Sequence, residues 1–165
     1  TDMLGALEEV ESFGEFAKRN NAVASTDVKS FEHLVCTEQL SRRLGFRVGE
    51  ELIRVVRVRS LNGNARQVDH GYFLASIAKG LTPEIAADSI YGYLEHKRGV
   101  KVMASRRTVS VELANDEDCS YLDLGKYNCV AVMESQSYTS DGILFEVTHT
   151  RTHPEIFHYR VNSKR

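Results

Sequence analysis

The feature that most constrains this fold is a pair of alternating segments separated by a short turn sequence. Residues 51–61 and 65–74 are rich in Val, Leu and aromatic side chains, and Asn62-Gly63-Asn64 lies between them. Alternating β-branched and aromatic residues are typical of strands, and an Asn-Gly pair between two such segments is a strong hairpin signal. The chain is therefore predicted to contain a β-hairpin around which the other elements are arranged.

The length of the turn decides which side chains of this hairpin lie on the same face of the sheet. A two-residue turn at Asn62-Gly63 would place Arg59 opposite Arg66, and like charges directly opposite each other destabilise a strand pair. A three-residue loop would place Arg59 opposite Gln67 instead. We therefore predict the three-residue loop, which gathers a polar cluster on one face of the hairpin: Arg57, Arg59, Gln67 and Asp69.

The rest of the chain alternates between strand and helix signals. Further strands are predicted from alternating apolar segments at 24–35, 101–113, 127–139 and 143–151, with 156–161 able to close the sheet. Helices are predicted after capping residues at 12–19, 38–44, 88–97 and 115–122, with a short turn or helix from Thr82. We predict an α+β fold in which a few helices pack on an antiparallel sheet.

The composition supports one folded domain without a strong overall charge. The 165 residues are 42% hydrophobic and 27% charged, and 21 Lys and Arg against 23 Asp and Glu give a net charge of −2. A near-neutral chain has no overall attraction for nucleic acid or an anionic membrane. No apolar run approaches the roughly 20 residues of a membrane span. The chain has an odd number of cysteines, and they are widely spaced: Cys36, Cys119 and Cys129. This pattern indicates reduced thiols and a cytoplasmic location.

Arg57-Val58-Arg59 is the most suggestive local motif. Residues two apart on a strand share a face at a spacing of about 6.6 Å, so both guanidinium groups point the same way. Two such groups can bind a phosphate or a carboxylate, and we expect both to lie over a cleft rather than in the apolar core. The alternative is a pair of solvated surface arginines. The helix starts at Ser12 and Ser89 also offer N–H groups to an anion, although most capped helices bind nothing.

The sequence gives little support for a metal site or for an enzyme. His149 and His153 are four residues apart, which on a strand separates their Cα atoms by about 13 Å, too far to share one ion. The chain contains no GxSxG motif, no Walker A motif and no dinucleotide-binding glycine pattern. We therefore predict no metal, no cofactor and no catalytic residue.

The motifs also occur in a distinctive order along the chain. That order is Ser12-Phe13-x-Glu15, Arg57-Val58-Arg59 with Asn62-Gly63, Asp69 before Tyr72-Phe73, Ser89-Ile90-Tyr91-x-Tyr93-x-Glu95, and Asp141-Gly142 with Phe145-Glu146. From about Val10 to Val161 this resembles the UTRA domain, the effector-binding half of GntR-family bacterial transcription repressors, in the histidine-utilisation-repressor branch. Within that branch, Asp69-x-x-Tyr72-Phe73 and Leu122-Asp123 are most similar to trehalose operon repressors.

The resemblance implies a chorismate-lyase-like α+β fold, a homodimer and a small-molecule effector, commonly a phosphorylated sugar. Trehalose 6-phosphate is the expected candidate. It also implies that operator DNA is bound by an N-terminal winged helix-turn-helix domain absent from this sequence. Residues 1–10 would lead in from that domain, and residues 11–165 would form the effector-binding domain.

The resemblance also implies roles for individual residues. Ser12, Phe13 and Gly14 would contact the phosphate, and Arg57 and Arg59 would supply the positive charge. The residues implied at the sugar hydroxyls are Asp69, Ser89, Tyr91 and Glu146, with Arg151 or Thr152 at the far rim.

Two other functions are compatible with these residues. A lyase-type enzyme could share the fold and use the same anion-binding arginines, although no acid–base pair dedicated to turnover is evident. A dimerisation module without a ligand is a third reading, which an empty apolar pocket would favour. Repeated turnover of chorismate to pyruvate would distinguish the enzyme from the ligand-sensing domain.

Overall fold

A computed structural model describes residues 13–158 and 163–165 of the chain. It forms one six-stranded antiparallel sheet with the strand order β1-β2-β3-β6-β5-β4. The strands are β1 (Ala24–Val35), β2 (Glu51–Leu61), β3 (Asn64–Leu74), β4 (Val102–Leu113), β5 (Cys129–Thr139) and β6 (Leu144–Thr152). The predicted α+β class is confirmed, and the first predicted strand has the bounds that the sequence indicates.

Short helices occupy the connections between the strands. They are α1 (Phe13–Arg19), α2 (Glu38–Leu44), α3 (Pro83–Asp88), α4 (Ile90–Gly92), which continues as a π-turn through Tyr93–Lys97, and α5 (Asp116–Tyr121). Helices α2 to α5 each begin with a side-chain oxygen that accepts from a backbone N–H, and the capping residues are in order Thr37, Thr82, Ser89 and Asn115. The predicted helix at 38–44 is confirmed, including its end at Gly45. The predicted cap of α1 at Ser12 lies outside the described residues.

The β2–β3 hairpin reaches its predicted pairing by a different route. Leu61 pairs with Asn64, so the turn has two residues and not the predicted three. Asn62 and Gly63 both have positive φ, 50° and 80°, as this tight turn requires. An extra residue, Arg66, then bulges out of β3 and shifts the register by one.

The bulge restores the pairs that the charge argument predicts. Arg59 lies opposite Gln67 and Arg57 lies opposite Asp69, with the shift placed between Arg59 and Ser60. A one-residue bulge changes the facing of every residue beyond it. The loop length was wrong, but the predicted polar face is confirmed.

The two faces of the sheet carry separate parts of the core. On one face, α3 and α4 pack over apolar side chains near the start of β2 and the end of β3, including Ile53, Val55 and Phe73. On the other face, the chain after α5 covers a cluster made of Val56, Val68, Leu122, Leu124, Val130 and Val132. We call the first the pocket face and the second the opposite face.

The end of the chain differs from the predicted closing strand. Pro154–Ile156 form one turn of 3-10 helix, so the predicted strand at 156–161 does not begin at Ile156. Residues 159–162 of that prediction lie outside the described part of the chain. Within the described ranges, no helix is long and apolar enough to cross a membrane.

Candidate ligand-binding site

A cavity of about 280 Å³ lies on the pocket face of the sheet. Strands β2, β3, β6 and β5 form its floor, α1 and α4 lie at its sides, and the chain after β6 contributes its last wall. Cross-strand pairing fixes which residues reach it, because side chains opposite one another share a face. The predicted site residues among its lining are Phe13, Arg57, Arg59, Asp69, Ser89, Tyr91, Glu146 and Thr152.

Arg57 is held by a carboxylate and a backbone carbonyl. Its Nε donates to Asp69 Oδ2 at 3.0 Å, and a second guanidinium nitrogen also donates to Oδ2. Its Nη1 donates to the carbonyl of Ala86, at 3.3 Å, in α3. Arg57 and Asp69 are 7% and 3% exposed, so this is a buried ion pair at the edge of the cavity. Arg57 therefore lines the cavity as expected, but its charge is already balanced by Asp69.

Arg59 has a different environment two residues further along β2. Its guanidinium carbon lies 4.7 Å from the centre of the Phe13 ring, and its Nε is buried without a hydrogen-bond partner among the described residues. Burial and the neighbouring charge of Arg57 lower the pKa of Arg59 to about 10, so it remains a cation near neutrality. A buried donor without an acceptor is costly in a folded protein. An anion bound in the cavity would therefore give the Arg59 Nε an acceptor.

Glu146 and Tyr91 form a hydrogen-bonded pair at the cavity. The Tyr91 hydroxyl donates to Glu146 Oε1 at 3.0 Å, and Glu146 is only 2% exposed. Burial, followed by the nearby charge of Asp69, raises the pKa of Glu146 to about 7. Burial and Glu146 also raise the pKa of Tyr91 above its ordinary value. Glu146 can therefore donate or accept a hydrogen bond near neutral pH.

The other predicted residues occupy three kinds of position. Ser89 lines the cavity, but its Oγ accepts from the N–H of Gly92 at 3.0 Å and so caps α4. Thr152 lines the cavity and accepts a hydrogen bond from Gln67 at 3.0 Å. Gly14 is exposed on α1, and Ser12 lies outside the described residues.

Arg151 lies on the opposite face, away from the cavity. Its Nε donates to both carboxylate oxygens of Asp118, at 2.9 and 3.0 Å, and its Nη1 lies 3.3 Å from Glu112. These contacts raise the pKa of Arg151. Of the two residues implied at the far rim, only Thr152 reaches the cavity. Its strand position has the same parity as that of Glu146, whereas the position of Arg151 does not.

Several cavity residues were missed at the sequence level. Gln67 was predicted on the polar face but not as a site residue, and Arg107 of β4 was not considered. A row of hydroxyl side chains also lines the floor: Ser135, Thr148, Thr150 and Thr152. The signal for this row is the alternation in β6, where polar residues at even positions start at Glu146. No comparable signal places β4 beside β5, which is a matter of sheet order.

The described residues contain no group of three or more His, Cys, Asp or Glu side chains placed to hold a metal ion. His153 instead accepts from the N–H of Glu155 at 3.1 Å through Nδ1 and contacts the carbonyl of Asp123 through Nε2 at 3.0 Å. It is 2% exposed and connects the end of β6 to the chain after α5. The hydrogen bonds of His153 therefore hold two segments of the chain together.

Comparison with known sequences gives one family and several regulators. The model of the UTRA domain matches residues 19–158. The chain is 28% identical over 148 residues to the HTH-type transcriptional regulator TreR of Bacillus subtilis (strain 168), which covers 90% of this chain and 62% of TreR. It is 21% identical over 141 residues to the HTH-type transcriptional repressor NagR of the same bacterium, covering 86% of this chain and 58% of NagR. The chain thus spans about three fifths of the length of these relatives.

Comparison with solved structures gives the same fold. The effector-binding domain of the B. subtilis trehalose repressor TreR superposes with a TM-score of 0.76 at 27% identity, covering 86% of this chain and 98% of that domain. The effector domain of PhnF from Mycobacterium smegmatis superposes with a TM-score of 0.81, covering 94% of this chain and 96% of that domain. Because the sequence identity to PhnF is only 17%, this similarity shows a shared fold and nothing about function.

Proposed function

The chain belongs to the UTRA domain family, and on that premise we propose that its cavity binds a phosphorylated sugar as the effector of a GntR-type transcriptional repressor. The similar domain from B. subtilis is that of a trehalose repressor, which makes trehalose 6-phosphate the leading candidate. The effector would control operator binding by an N-terminal domain outside this sequence. Binding can do so only if the effector has different affinities for two arrangements of the repressor.

The observation that carries this proposal is the buried Nε of Arg59, which has no hydrogen-bond partner among the described residues. Arg57 is neutralised by Asp69, whereas Arg59 lines the cavity and no residue in the described part of the chain accepts from its buried Nε. A phosphate monoester carries a charge of about −1.5 to −2 and three acceptor oxygens. It would supply a negative charge close to Arg59 and a hydrogen-bond acceptor for its Nε. The Phe13 ring against Arg59 fixes where the guanidinium points.

The start of α1 lies beside this guanidinium and would extend the phosphate site. Phe13 is the first residue of α1, and the family resemblance assigns phosphate contacts to Ser12 and Gly14 on either side of it. Phosphate is favoured near helix N-termini because backbone N–H groups there have no helical acceptor. We include these three residues in the proposed site on the strength of the resemblance.

The sugar would then lie over the floor of the cavity. Asp69 and Glu146 present carboxyl oxygens there, and Ser89, Tyr91 and Thr152 present hydroxyl groups. Sugar hydroxyls both donate and accept hydrogen bonds, so a floor of mixed donors and acceptors suits them. This arrangement would orient the sugar once the phosphate is bound at Arg59.

Calorimetric titration of the wild type and Arg59→Ala with trehalose 6-phosphate and neutral trehalose tests the phosphate site. Hydrogen bonds to charged groups contribute about 1.5–3 kcal/mol each, so Arg59→Ala is expected to weaken binding of the phosphate roughly 10- to 150-fold. Arg42→Ala, which removes an exposed arginine of α2, is the matched control and is expected to bind as wild type does. Neutral trehalose binding the wild type within tenfold of the phosphate would contradict the proposal.

One observation favours an enzyme as the second candidate. A buried carboxyl with its pKa near 7 beside a tyrosine hydroxyl is the kind of group that acts as a general acid or base. Incubation of the domain with chorismate, followed by a pyruvate assay, tests this. Steady release over many turnovers that is lost in Glu146→Gln would replace the ligand-sensing proposal with a lyase.

The family resemblance extends the proposal to the assembled regulator. We include a homodimer, operator binding through the absent N-terminal domain, and a cytoplasmic location. Strand β4 supports the dimer because it is an edge strand with exposed apolar side chains at Val109, Val111 and Leu113. Light scattering that finds only an 18.6 kDa species at micromolar concentration would contradict the dimer.

A further inference from the structure

Arg107 lines the cavity from the strand farthest from the phosphate site. It lies in the edge strand β4, is half-buried, and pairs with Ser135 of β5 across the ladder. Ser135 also lines the cavity, so the side chain of Arg107 lies on the cavity side of the sheet. The neighbouring Arg106 is exposed and pairs with Gln136. Because adjacent residues of a strand point to opposite faces, Arg106 lies on the opposite face of the sheet.

The sheet keeps Arg107 well away from Arg59. Strands β3, β6 and β5 lie between β2 and β4, so the lateral separation of the two Cα atoms is about 19 Å at the usual strand spacing. Followed from strand to strand, the residues paired with Arg59 lead to Val111 on β4. Val111 is four residues from Arg107, so the two arginines are also separated by about 13 Å along the strand direction. A single phosphate group bound at Arg59 is too small to contact Arg107 as well.

The floor between the two arginines is lined by hydroxyl groups. Thr148 and Thr150 of β6 and Ser135 of β5 lie on the pocket face between them, and Tyr91 lies above this floor. A chain of hydroxyl side chains that joins two cationic ends fits an elongated polyol with a phosphate at one end. A one-ring sugar phosphate anchored at Arg59 would leave the Arg107 end of this floor without contacts.

We propose that Arg107 recognises the end of the effector remote from the phosphate and so selects sugar phosphates of two rings over those of one. This rests on the proposed function, because the phosphate is placed at Arg59. Arg107 would donate hydrogen bonds to ring or hydroxyl oxygens of the second sugar unit. Its contribution would depend on the length of the ligand and not on its charge, since both ligand classes carry the same phosphate.

Titration calorimetry with trehalose 6-phosphate, sucrose 6-phosphate and glucose 6-phosphate tests this length dependence. The variants are Arg107→Ala and Arg107→Gln, with Arg106→Ala as the control on the same strand and the other face. We expect Arg107→Ala to weaken the disaccharide phosphate that the wild type prefers about 10- to 100-fold. We expect its affinity for glucose 6-phosphate to change by less than about twofold. Arg106→Ala should leave all affinities unchanged.

The outcomes separate this proposal from the one on which it rests. Equal weakening of one-ring and two-ring phosphates by Arg107→Ala would show a general electrostatic effect and overturn the length selection. Unchanged affinity for every ligand in both Arg107 variants would overturn the contact itself. In either case, binding that still depends on Arg59 would leave the phosphate site standing. Absence of binding of any sugar phosphate to the wild type would overturn both proposals together.

Discussion

Two buried Arg–Asp pairs lie on the two faces of the sheet and differ in how completely they are satisfied. On the opposite face, Arg151 contacts Asp118 through two nitrogens, Glu112 through a third, and the carbonyl of Leu113. Asp118 is 0% exposed and also accepts a hydrogen bond from the N–H of Asn115, the residue that caps α5. This pair connects α5 to the sheet and is satisfied within the protein.

On the pocket face, the pair formed by Arg57 and Asp69 is followed by Arg59, whose Nε is not satisfied within the described residues. Arg59 stacks on Phe13 and lies at the cavity, with a buried Nε that no described residue accepts from. The same residue types therefore make a structural contact on one face and, in our proposal, a binding site on the other. What distinguishes them is the unsatisfied hydrogen-bonding capacity and not the presence of charge.

The largest effect is expected from breaking the structural pair. Arg151→Ala would leave the fully buried carboxylate of Asp118 without its counter-charge, and loss of one partner of a buried ion pair costs about 3–5 kcal/mol. We expect the free energy of unfolding in urea to fall by this amount. Arg57→Ala should have a similar effect, since Asp69 is 3% exposed. A loss below 1 kcal/mol in both variants would show that these pairs do not stabilise the fold.

The second effect is a pH dependence of stability that arises in the pocket. The pKa of Glu146 is about 7 in the folded protein against an ordinary 4.5, so the folded state holds the proton more tightly. Stability should therefore fall as the pH rises from about 4.5 to 7 and then level off, by roughly 3 kcal/mol in total. Urea unfolding of the wild type and Glu146→Gln at pH 5 and pH 8 measures it. The variant should lack this component, and parallel profiles for the two proteins would contradict it.

A smaller effect on stability is expected from removing the unsatisfied arginine. Arg59→Ala loses the contact with Phe13 but also removes a buried cation with an unpartnered donor, and these contributions oppose each other. The free energy of unfolding should change by less than about 1 kcal/mol, while phosphate binding weakens roughly 10- to 150-fold. A loss comparable with that of Arg151→Ala would remove the distinction between the two faces.

The smallest effect is expected from an exposed pair that belongs to neither face. Arg42 and Glu38 lie one turn apart on α2, 3.5 Å from each other, with side chains 81% and 79% exposed. Such pairs contribute about 0.3–0.5 kcal/mol and are screened by salt. Arg42→Ala should therefore shift the urea midpoint only slightly, and less at 1 M NaCl. A loss above 1 kcal/mol would show that exposure does not set the scale of these contributions.

Local signals predicted most of the helices and strands but not the order in which the strands pair in the sheet. The capping residues and the alternation of β-branched side chains indicate the helix at 38–44 and the strand at 24–35 with their observed bounds. The charge argument also indicates the facing of Arg57 and Asp69, although it assigns the wrong turn length. These features depend on residues close together in the chain, and a bulge can compensate for a misjudged turn.

The parts of the site that escaped prediction depend on sheet order or on distant partners. Arg107 reaches the cavity because β4 pairs with β5, which no local pattern in β4 indicates. Arg151 was implied in the site by resemblance, whereas its partner Asp118 lies far away in sequence. Parity with Glu146 alone would have favoured Thr152, because a strand alternates its faces.

The bulge at Arg66 gives β3 one residue more than a regular ladder with β2 requires. Deletion of Arg66 would leave a regular ladder in which Arg59 still lies opposite Gln67. Deletion of a second residue beside it would bring Val68 opposite Arg59 and turn Gln67 and Asp69 away from the cavity. One deletion at the tip therefore keeps Arg59 opposite Gln67 but removes the Arg66 carbonyl that accepts from the N–H of His153 at 2.8 Å. A second deletion would also turn away the carboxylate of Asp69 that neutralises Arg57.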